Sequence, residues 1–370
     1  MTSRIAVVHD WLRRWAGSEQ VLEQILRCFP TADLFCLTSC PDEVGRSRLA
    51  DRPIRTSFLQ QVPLAARWPQ LFVSWLPMAA EQLDLRGYDL VISNSHCAAK
   101  GVIAAPAAKH LAYIHSPPRY AWDLHGAYTS RVPWLLRPLW MRRMHRLRQW
   151  DALSALRPDA LACNSHYIAR RIARAWRREA AVLYPPIDLE VFTPGSDSAR
   201  DDVFVTASRL VGYKQVPLIA GAFAAMPGRR LRIIGDGPDL GRIRAIARQA
   251  PNIAVLGHLP RERLVEELRR ARAFVFAAEE DFGIAPVEAM ACGTPVIAFA
   301  RGGAAETVVP GTTGRWFHEQ TPQALIESVE AFCAGPAPDP AACRARAMAF
   351  SPARFRAGLM ALVAQLQEGA

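Results

Sequence analysis

The sequence predicts an α/β protein built from two domains, each a parallel sheet with helices on both faces. Three observations lead there. The chain has 370 residues, enough for two domains at roughly 100–200 residues each. Short apolar runs alternate with helical patterns along its whole length, the signature of parallel sheets covered by helices. That alternation stops once, at a proline-rich break, and then restarts.

In the first series, residues 5–8, 33–37, 90–93, 109–114 and 160–164 read as strands. Residues 19–28 read as a helix with Val21, Leu22, Ile25 and Leu26 on one face, and 165–178 as a basic helix. The second series has strands at 203–207, 231–234, 253–256, 273–277 and 295–298. Helices at 218–226, 240–249, 261–270 and 284–292 lie between them. The break is Tyr184-Pro185-Pro186-Ile187-Asp188, followed by Phe192-Thr193-Pro194-Gly195-Ser196. Such proline and glycine clusters interrupt regular structure. The expected domains are 1–185 and 186–349, with a C-terminal helix in 350–370 crossing back to the first. Two Rossmann-like domains whose sheets face an interdomain cleft would bind ligands outside the carboxyl ends of their strands.

Composition narrows the class. Hydrophobic residues make up 51% and charged residues 21%, which excludes a chain disordered throughout. No 18-residue stretch is apolar enough for a spanning helix, and residues 1–10 read as an early strand instead of a signal peptide. The expected location is therefore the cytoplasm. None of the eight cysteines forms a Cys-x-x-Cys pair, and metal-ligand spacing is missing.

Charge is uneven. Residues 1–185 carry 25 basic and 14 acidic residues; residues 186–370 carry 20 of each. Nine of the ten tryptophans also fall in the first half. A basic, Trp-rich half beside a neutral one implies an anionic surface as the first domain's partner. Nucleic acid is disfavoured, because no finger, helix-turn-helix or RNP pattern accompanies the charge. The segment 131–150, RVPWLLRPLWMRRMHRLRQW, holds six arginines, three tryptophans and no acid. Leu135, Leu136, Leu139, Trp140, Met144 and Leu147 can share one helical face, with Pro138 breaking or kinking its early part. Arg137, Arg142, Arg143 and Arg146 flank that face, so the segment suits a membrane interface. Residues 52–80 add Phe58, Trp68, Phe72 and Trp75. Packing on the domain's own core is the plain alternative for both stretches.

Two constellations carry chemistry. In Ala207-Ser208-Arg209-Leu210-Val211-Gly212-Tyr213-Lys214, between a strand and a helix, Lys214 is the one lysine of the second half. Arg209 and Lys214 at this spacing could clamp a diphosphate; solvated loop cations are the plain alternative. The second constellation runs from Glu280-Asp281-Phe282-Gly283-Ile284 through Glu288 to Gly293-Thr294-Pro295. Gly283 opens a helix whose free N–H groups suit an anion. Glu280 precedes it and Glu288 lies about two turns in.

Two glutamates separated by seven residues, with Phe-Gly between them and an Ala-Met-Ala-Cys-Gly-Thr-Pro-Val-Ile tail, resemble the signature of retaining GT-B glycosyltransferases of family 4. Gly235-Asp236-Gly237-Pro238 and Gly302-Gly303 with Glu306 are similar to the same pattern. In the first half, Val8-His9-Asp10-Trp11-Leu12, Gly17-Ser18-Glu19, Tyr113-Ile114-His115-Ser116-Pro117-Pro118 and Asn164-Ser165 resemble bacterial GDP-mannose-dependent mannosyltransferases of O-antigen and exopolysaccharide assembly. Ala16 departs from that pattern, which usually has glycine there.

The resemblance implies a GT-B fold and a nucleotide-sugar donor. Arg209, Lys214 and the Gly283 and Ile284 amides would bind its diphosphate, with Gly17 approaching closely. Glu280 would meet the sugar hydroxyls and Glu288 the ribose, while Gly257 and His258 would line the base. His115 would stand near the reacting carbon, although a histidine before Ser-Pro-Pro also suits a turn. The acceptor would be a polyprenyl-diphosphate-linked saccharide, met at the inner face of the bacterial plasma membrane. No strict Asp-x-Asp motif is present, so no metal and no cofactor are expected. A UDP-sugar donor and a sugar-nucleotide epimerase of similar fold remain alternatives. A nicotinamide oxidoreductase fits poorly, because Gly235, Gly237 and Gly241 have the wrong spacing for a dinucleotide fingerprint.

Overall fold

The structure is a computed structural model describing residues 3–13, 15–40, 44, 49, 51–130, 132–195 and 200–368. Arg131, at the head of the basic segment, and Ser196, at the end of the expected linker, lie outside the described residues. The chain divides into two compact units, Met1–Pro186 with Phe355–Ala370, and Ile187–Arg354.

The first unit holds β1 (Ile5–Leu12), α1 (Gly17–Cys28), β2 (Asp33–Ser39), β3 (Ile54–Thr56), α2 (Leu76–Glu81), β4 (Leu90–Ser95) and β5 (Lys109–Ile114). It continues with α3 (His125–Thr129), α4 (Arg137–Ser154), β6 (Ala160–Cys163), α5 (His166–Trp176) and β7 (Ala181–Val182). Its strands lie in the order β3-β2-β1-β4-β5-β6-β7 and pair in parallel. Val7, Leu34, Leu111 and Tyr113 point to one face, covered by Leu22 and Ile25 of α1 and by Phe355 and Leu359 from the chain's end. Ala6, Val8, Leu37 and Val91 point to the other, under Leu59, Leu76 and Ala80. Burial on both faces explains why these strands are apolar almost without interruption.

The second unit runs β8 (Val203–Ala207), α6 (Val216–Ala224), β9 (Arg230–Ile234), α7 (Leu240–Ala247), β10 (Ile253–Gly257), α8 (Arg261–Arg270) and β11 (Ala273–Phe276). Then come α9 (Ile284–Ala291), β12 (Val296–Phe299), α10 (Ala304–Thr307), β13 (Gly314–Phe317), α11 (Pro322–Ala334) and α12 (Pro340–Met348). The final helix, α13 (Pro352–Glu368), begins at the unit's end and continues into the first unit. The sheet order is β10-β9-β8-β11-β12-β13, again parallel. Phe204, Ile233, Val275 and Ile297 of its strands pack on Phe223 and Val329 of α6 and α11.

The basic segment differs from the sequence expectation. Leu135 and Leu136 belong to a separate 3₁₀ turn before α4. Pro138 sits in the first turn of α4, where its missing N–H is one that a helix start leaves unpaired anyway, so the early part is broken off there, as the proline indicates. The six apolar residues do not share a face: Met144 and Leu147 are buried, whereas Leu139 is half exposed.

What holds α4 is a buried charge pair. Lys100, just beyond β4, places Nζ 2.8 Å from an Asp151 carboxylate oxygen, with both side chains at 1% exposure or less. Lys100 also donates to Ser154 Oγ at 2.8 Å and lies over the Trp150 and Trp176 rings. The other Asp151 oxygen accepts the indole N–H groups of Trp122 and Trp176, each at 2.7 Å. Three of the tryptophans behind the compositional asymmetry thus serve an internal cage. Lys100→Met should destabilise the first unit by roughly 3–5 kcal/mol, since it leaves a buried carboxylate uncompensated. Adding Asp151→Asn, which still offers an acceptor to the indoles, should restore most of that loss in urea unfolding. Equal losses in the single and double variants would show that the charge is not what matters.

Candidate active site

In the second unit the strand order reverses between β8 and β11. Parallel sheets expose a crevice outside the carboxyl ends at such a point. The loop after β8 carries Arg209 and Lys214; the loop after β11 carries Glu280. Lys214 Nζ forms a close ion pair with Glu280 Oε1, and both side chains are largely buried. The structure therefore joins the two constellations across the reversal. Arg209 is exposed and donates to the Tyr213 hydroxyl at 3.0 Å. Lys214 Nζ lies 5.5 Å from the centre of the same ring, so Tyr213 links the two cations.

Glycines bring the loops this close. A Cβ on Gly302 would lie 2.8 Å from the Glu280 backbone nitrogen, and Gly302 has φ +73°. Gly303 N–H donates to the Glu280 carbonyl at 2.8 Å. The loop after β12 thus braces Glu280 from behind. Gly235 braces the clamp loop in the same way: a Cβ there would run into the Ser208 carbonyl. Gly235 and Gly237 are therefore packing positions against residues 208–210, a different job from a dinucleotide loop.

Gly283, at φ +84°, caps α9. Ile284 begins the helix, and Glu288 lies one turn along it, nearer the N-terminus than the sequence spacing suggested. Lost hydration pushes the Glu288 carboxyl up to about 7, opposed by Arg261 and reinforced by Asp188. Gly257 ends β10 and His258 follows it at the carboxyl edge of the same sheet, with His258 exposed.

The first unit repeats the arrangement. Its order reverses between β1 and β4, and a polar cluster sits at their carboxyl ends. Asp10 accepts the backbone N–H groups of His96, Cys97, Ala98 and Ala99 at 2.6–2.9 Å. Burial opposes its charge, but His96, those amides and His9 outweigh it and hold the carboxyl below its usual value. Glu19 Oε2 accepts Ala16 N–H at 2.9 Å, which pins the turn carrying Gly17 at the start of α1. Its other oxygen faces His9 Nε2 at 3.4 Å. His115, just past β5, contacts Asn94 Oδ1 through Nε2 at 2.7 Å. Burial, reinforced by His96 and His9, pushes its imidazole down to about 3, so it is neutral at pH 7.

His9, Asp10, Glu19 and His115 stood in the sequence motifs, but only His115 had a role. Asn94, His96 and Tyr213 had none. Among the described residues, no three His, Cys, Asp or Glu side chains gather where they could hold a metal ion.

Two family models match the chain almost end to end: Glycosyltransferase Family 4 over residues 15–191 and Glycosyl transferases group 1 over 194–349. The chain belongs to the family 4 glycosyltransferases. Relatives include a D-inositol 3-phosphate glycosyltransferase of Mycolicibacterium smegmatis, 34% identical over 42% of this chain and 41% of its own length. A GDP-mannose-dependent alpha-(1-6)-phosphatidylinositol monomannoside mannosyltransferase of the same organism is 31% identical over 53% of this chain and 56% of its own. The chain thus spans about half the length of the curated relatives it matches. Among solved structures, Anabaena HepE in complex with UDP-glucose superposes with a TM-score of 0.73 at 18% identity, covering 98% of this chain and 99% of that one. Sucrose-phosphate synthase of Thermosynechococcus elongatus gives 0.72 at 18% identity, with both chains fully covered. These establish the two-domain GT-B fold of the family.

Arg137, Arg142, Arg143 and Arg146 are exposed, and Trp140 is half-buried with its indole on Thr129 Oγ1 at 3.1 Å. Trp134, Leu135 and Leu136 project into solvent, as do Leu64, Trp68, Leu71 and Trp75. Val73 and Trp140 both pack on the small buried cluster of Ala121, Met144 and Leu147, so the two stretches share that cluster. Among the described residues, no helix is long and apolar enough to cross a membrane.

The Glu288 carboxyl gives the second unit a pH signature. Its folded pKa of about 7 lies above the unfolded value of 4.5. A proton is therefore held more tightly in the folded state, and stability should fall as pH rises from about 4.5 to 7, by at most about 3 kcal/mol. Glu288→Gln should flatten that slope in unfolding titrations; an unchanged slope would place the proton elsewhere.

Proposed function

We propose that the protein is a retaining mannosyltransferase that moves mannose from GDP-mannose onto a polyprenyl-diphosphate-linked saccharide, as in O-antigen or exopolysaccharide assembly. The observation that carries this reading is the meeting of Lys214 and Glu280 at the strand-order reversal of the second unit. A diphosphate needs compact positive charge and free amides, which Lys214, Arg209 and the Gly283–Ile284 helix start offer. A sugar needs acceptors for its hydroxyls, which Glu280 and Glu288 offer. Gly257 and His258 then flank the base. The GDP-mannose dependence named for the mycobacterial relative favours that donor, and its phosphatidylinositol acceptor favours a lipid. That relative also makes a phosphatidylinositol-type lipid the acceptor to test beside the polyprenyl one.

In this reading the acceptor hydroxyl attacks the anomeric carbon as the bond to the diphosphate oxygen breaks. The departing oxygen takes the hydroxyl proton on the same face, so configuration is retained. Lys214 and Arg209 neutralise the charge that develops on the diphosphate, with no metal required. His115 would stand beside the sugar as a neutral hydrogen-bonding group.

Purified protein offered GDP-mannose, UDP-glucose and a membrane lipid extract should label the lipid from GDP-mannose. Lys214→Ala should weaken GDP-mannose binding in calorimetry by roughly 2–5 kcal/mol, because it leaves desolvated charges unpaired. Unchanged affinity would remove Lys214 from the donor site. Conversion of GDP-mannose to another sugar nucleotide without any acceptor would favour an epimerase.

The exposed face of the first unit would meet the membrane that holds such an acceptor. Near an anionic leaflet each basic residue contributes about 1 kcal/mol, while the Trp and Leu contacts do not depend on salt. Replacing Arg137, Arg142, Arg143 and Arg146 by Gln should release the protein from phosphatidylserine-containing vesicles. Turnover of lipid-linked acceptor should fall, whereas a short soluble acceptor should react as before. Equal loss on both acceptors would assign these arginines to the fold.

A further inference from the structure

We infer that Asn94 is a positioning residue that fixes the tautomer of His115 and ties it to the Gly17 turn. Asn94 is fully buried at the carboxyl end of β4. Its Nδ2 donates to the Ser18 carbonyl at 2.8 Å. A carbonyl only accepts, so this bond settles which end of the amide is which. The opposite end, Oδ1, therefore faces His115 Nε2 at 2.7 Å. An amide oxygen also only accepts, so Nε2 must carry the hydrogen. Neutral imidazole has one N–H, and the lone pair is left on Nδ1.

Asn94 Nδ2 and the Asn94 backbone carbonyl each lie 3.1 Å from His9 Nδ1, so Asn94 contacts that nitrogen whichever His9 tautomer is present. His9 Nε2 in turn faces Glu19, and Glu19 holds the Ala16 amide on the near side of Gly17. One amide side chain thus connects β1, the Gly17 turn and His115. The groups facing His115 are His9 and Asp10 from β1, Glu19 from α1, His96 from the loop after β4 and Tyr113 from β5. From α5, Arg171 reaches Ser116 Oγ, next to His115. No carboxylate takes the orienting position that one often holds beside a functional histidine. A neutral amide there sets the tautomer without inviting a second proton.

The consequence rests on the transferase reading proposed above: His115 would offer Nδ1 as an acceptor to a substrate hydroxyl, and would not act as a charged acid. The test separates the two. Ring ¹⁵N NMR on protein with labelled histidine, assigned with His115→Gln, needs no substrate. It should show one tautomer, with hydrogen on Nε2 and a bare Nδ1, persisting to below pH 5. Hydrogen on Nδ1, or a mixture of tautomers, overturns the inference. Asn94→Asp keeps the side-chain shape but sets a carboxylate against Nε2. It should move the His115 titration up by a unit or more and lower kcat roughly tenfold to a hundredfold, with donor KM nearly unchanged. An Asn94→Asp protein that folds, as judged by circular dichroism, yet leaves the His115 titration in place would also overturn it.

Discussion

The reversal of strand order beside the first strand of each sheet is the constraint on which the rest depends. The central strands of both sheets are buried on both faces, so the polar clusters gather mainly at the strand ends. At the reversal, neighbouring loops leave in opposite directions and expose a crevice. In each unit an electrostatic contact joins the loops on the two sides of the crevice. In the second unit Lys214 pairs with Glu280; in the first, Asp10 at the end of β1 collects four amides from the loop after β4. These contacts bring residues far apart in the chain to one place.

The buried charges are treated in different ways. Asp10 has its amides, and Asp151 has Lys100 and two indoles. Both are paid for within the free protein, so they read as architecture. Glu288 is only half-buried, yet lost hydration, opposed by Arg261, pushes its carboxyl up to about 7. A group left in that state is the one that gains most from a ligand's hydroxyls. The same contrast separates the lysines: Lys100 is enclosed by aromatic rings, whereas Lys214 stands on a loop beside an exposed arginine.

The repeating pattern of both sheets was legible, because parallel strands covered on both faces leave continuous apolar runs. Strands 109–114 and 203–207 and helix 261–270 have the bounds that the sequence indicates. The strands left unread are β3 and β7, of three and two residues, and β13, whose sequence GRWF carries no apolar run. The loop motifs around residues 209–214 and 280–288 were visible, since short-range spacing encodes them. Their pairing was not, because it depends on glycines 302 and 303 approaching from a third loop. Asn94 gave no signal at all: its partners His9 and Ser18 lie 85 and 76 residues away. The tryptophan asymmetry misled in part, since composition cannot separate Trp122, Trp150 and Trp176 in the Lys100 cage from Trp134 in solvent.

Under the proposed function, the reversal point of the second unit receives the nucleotide sugar. Amide hydrogen exchange on the intact chain, with and without saturating GDP-mannose, tests it most directly. Protection should gather in residues 208–214, 235–237, 257–258, 280–288 and 302–303, the loops that leave the carboxyl edge of that sheet. Protection confined to other loops, or none at a concentration where calorimetry shows binding, would contradict the account.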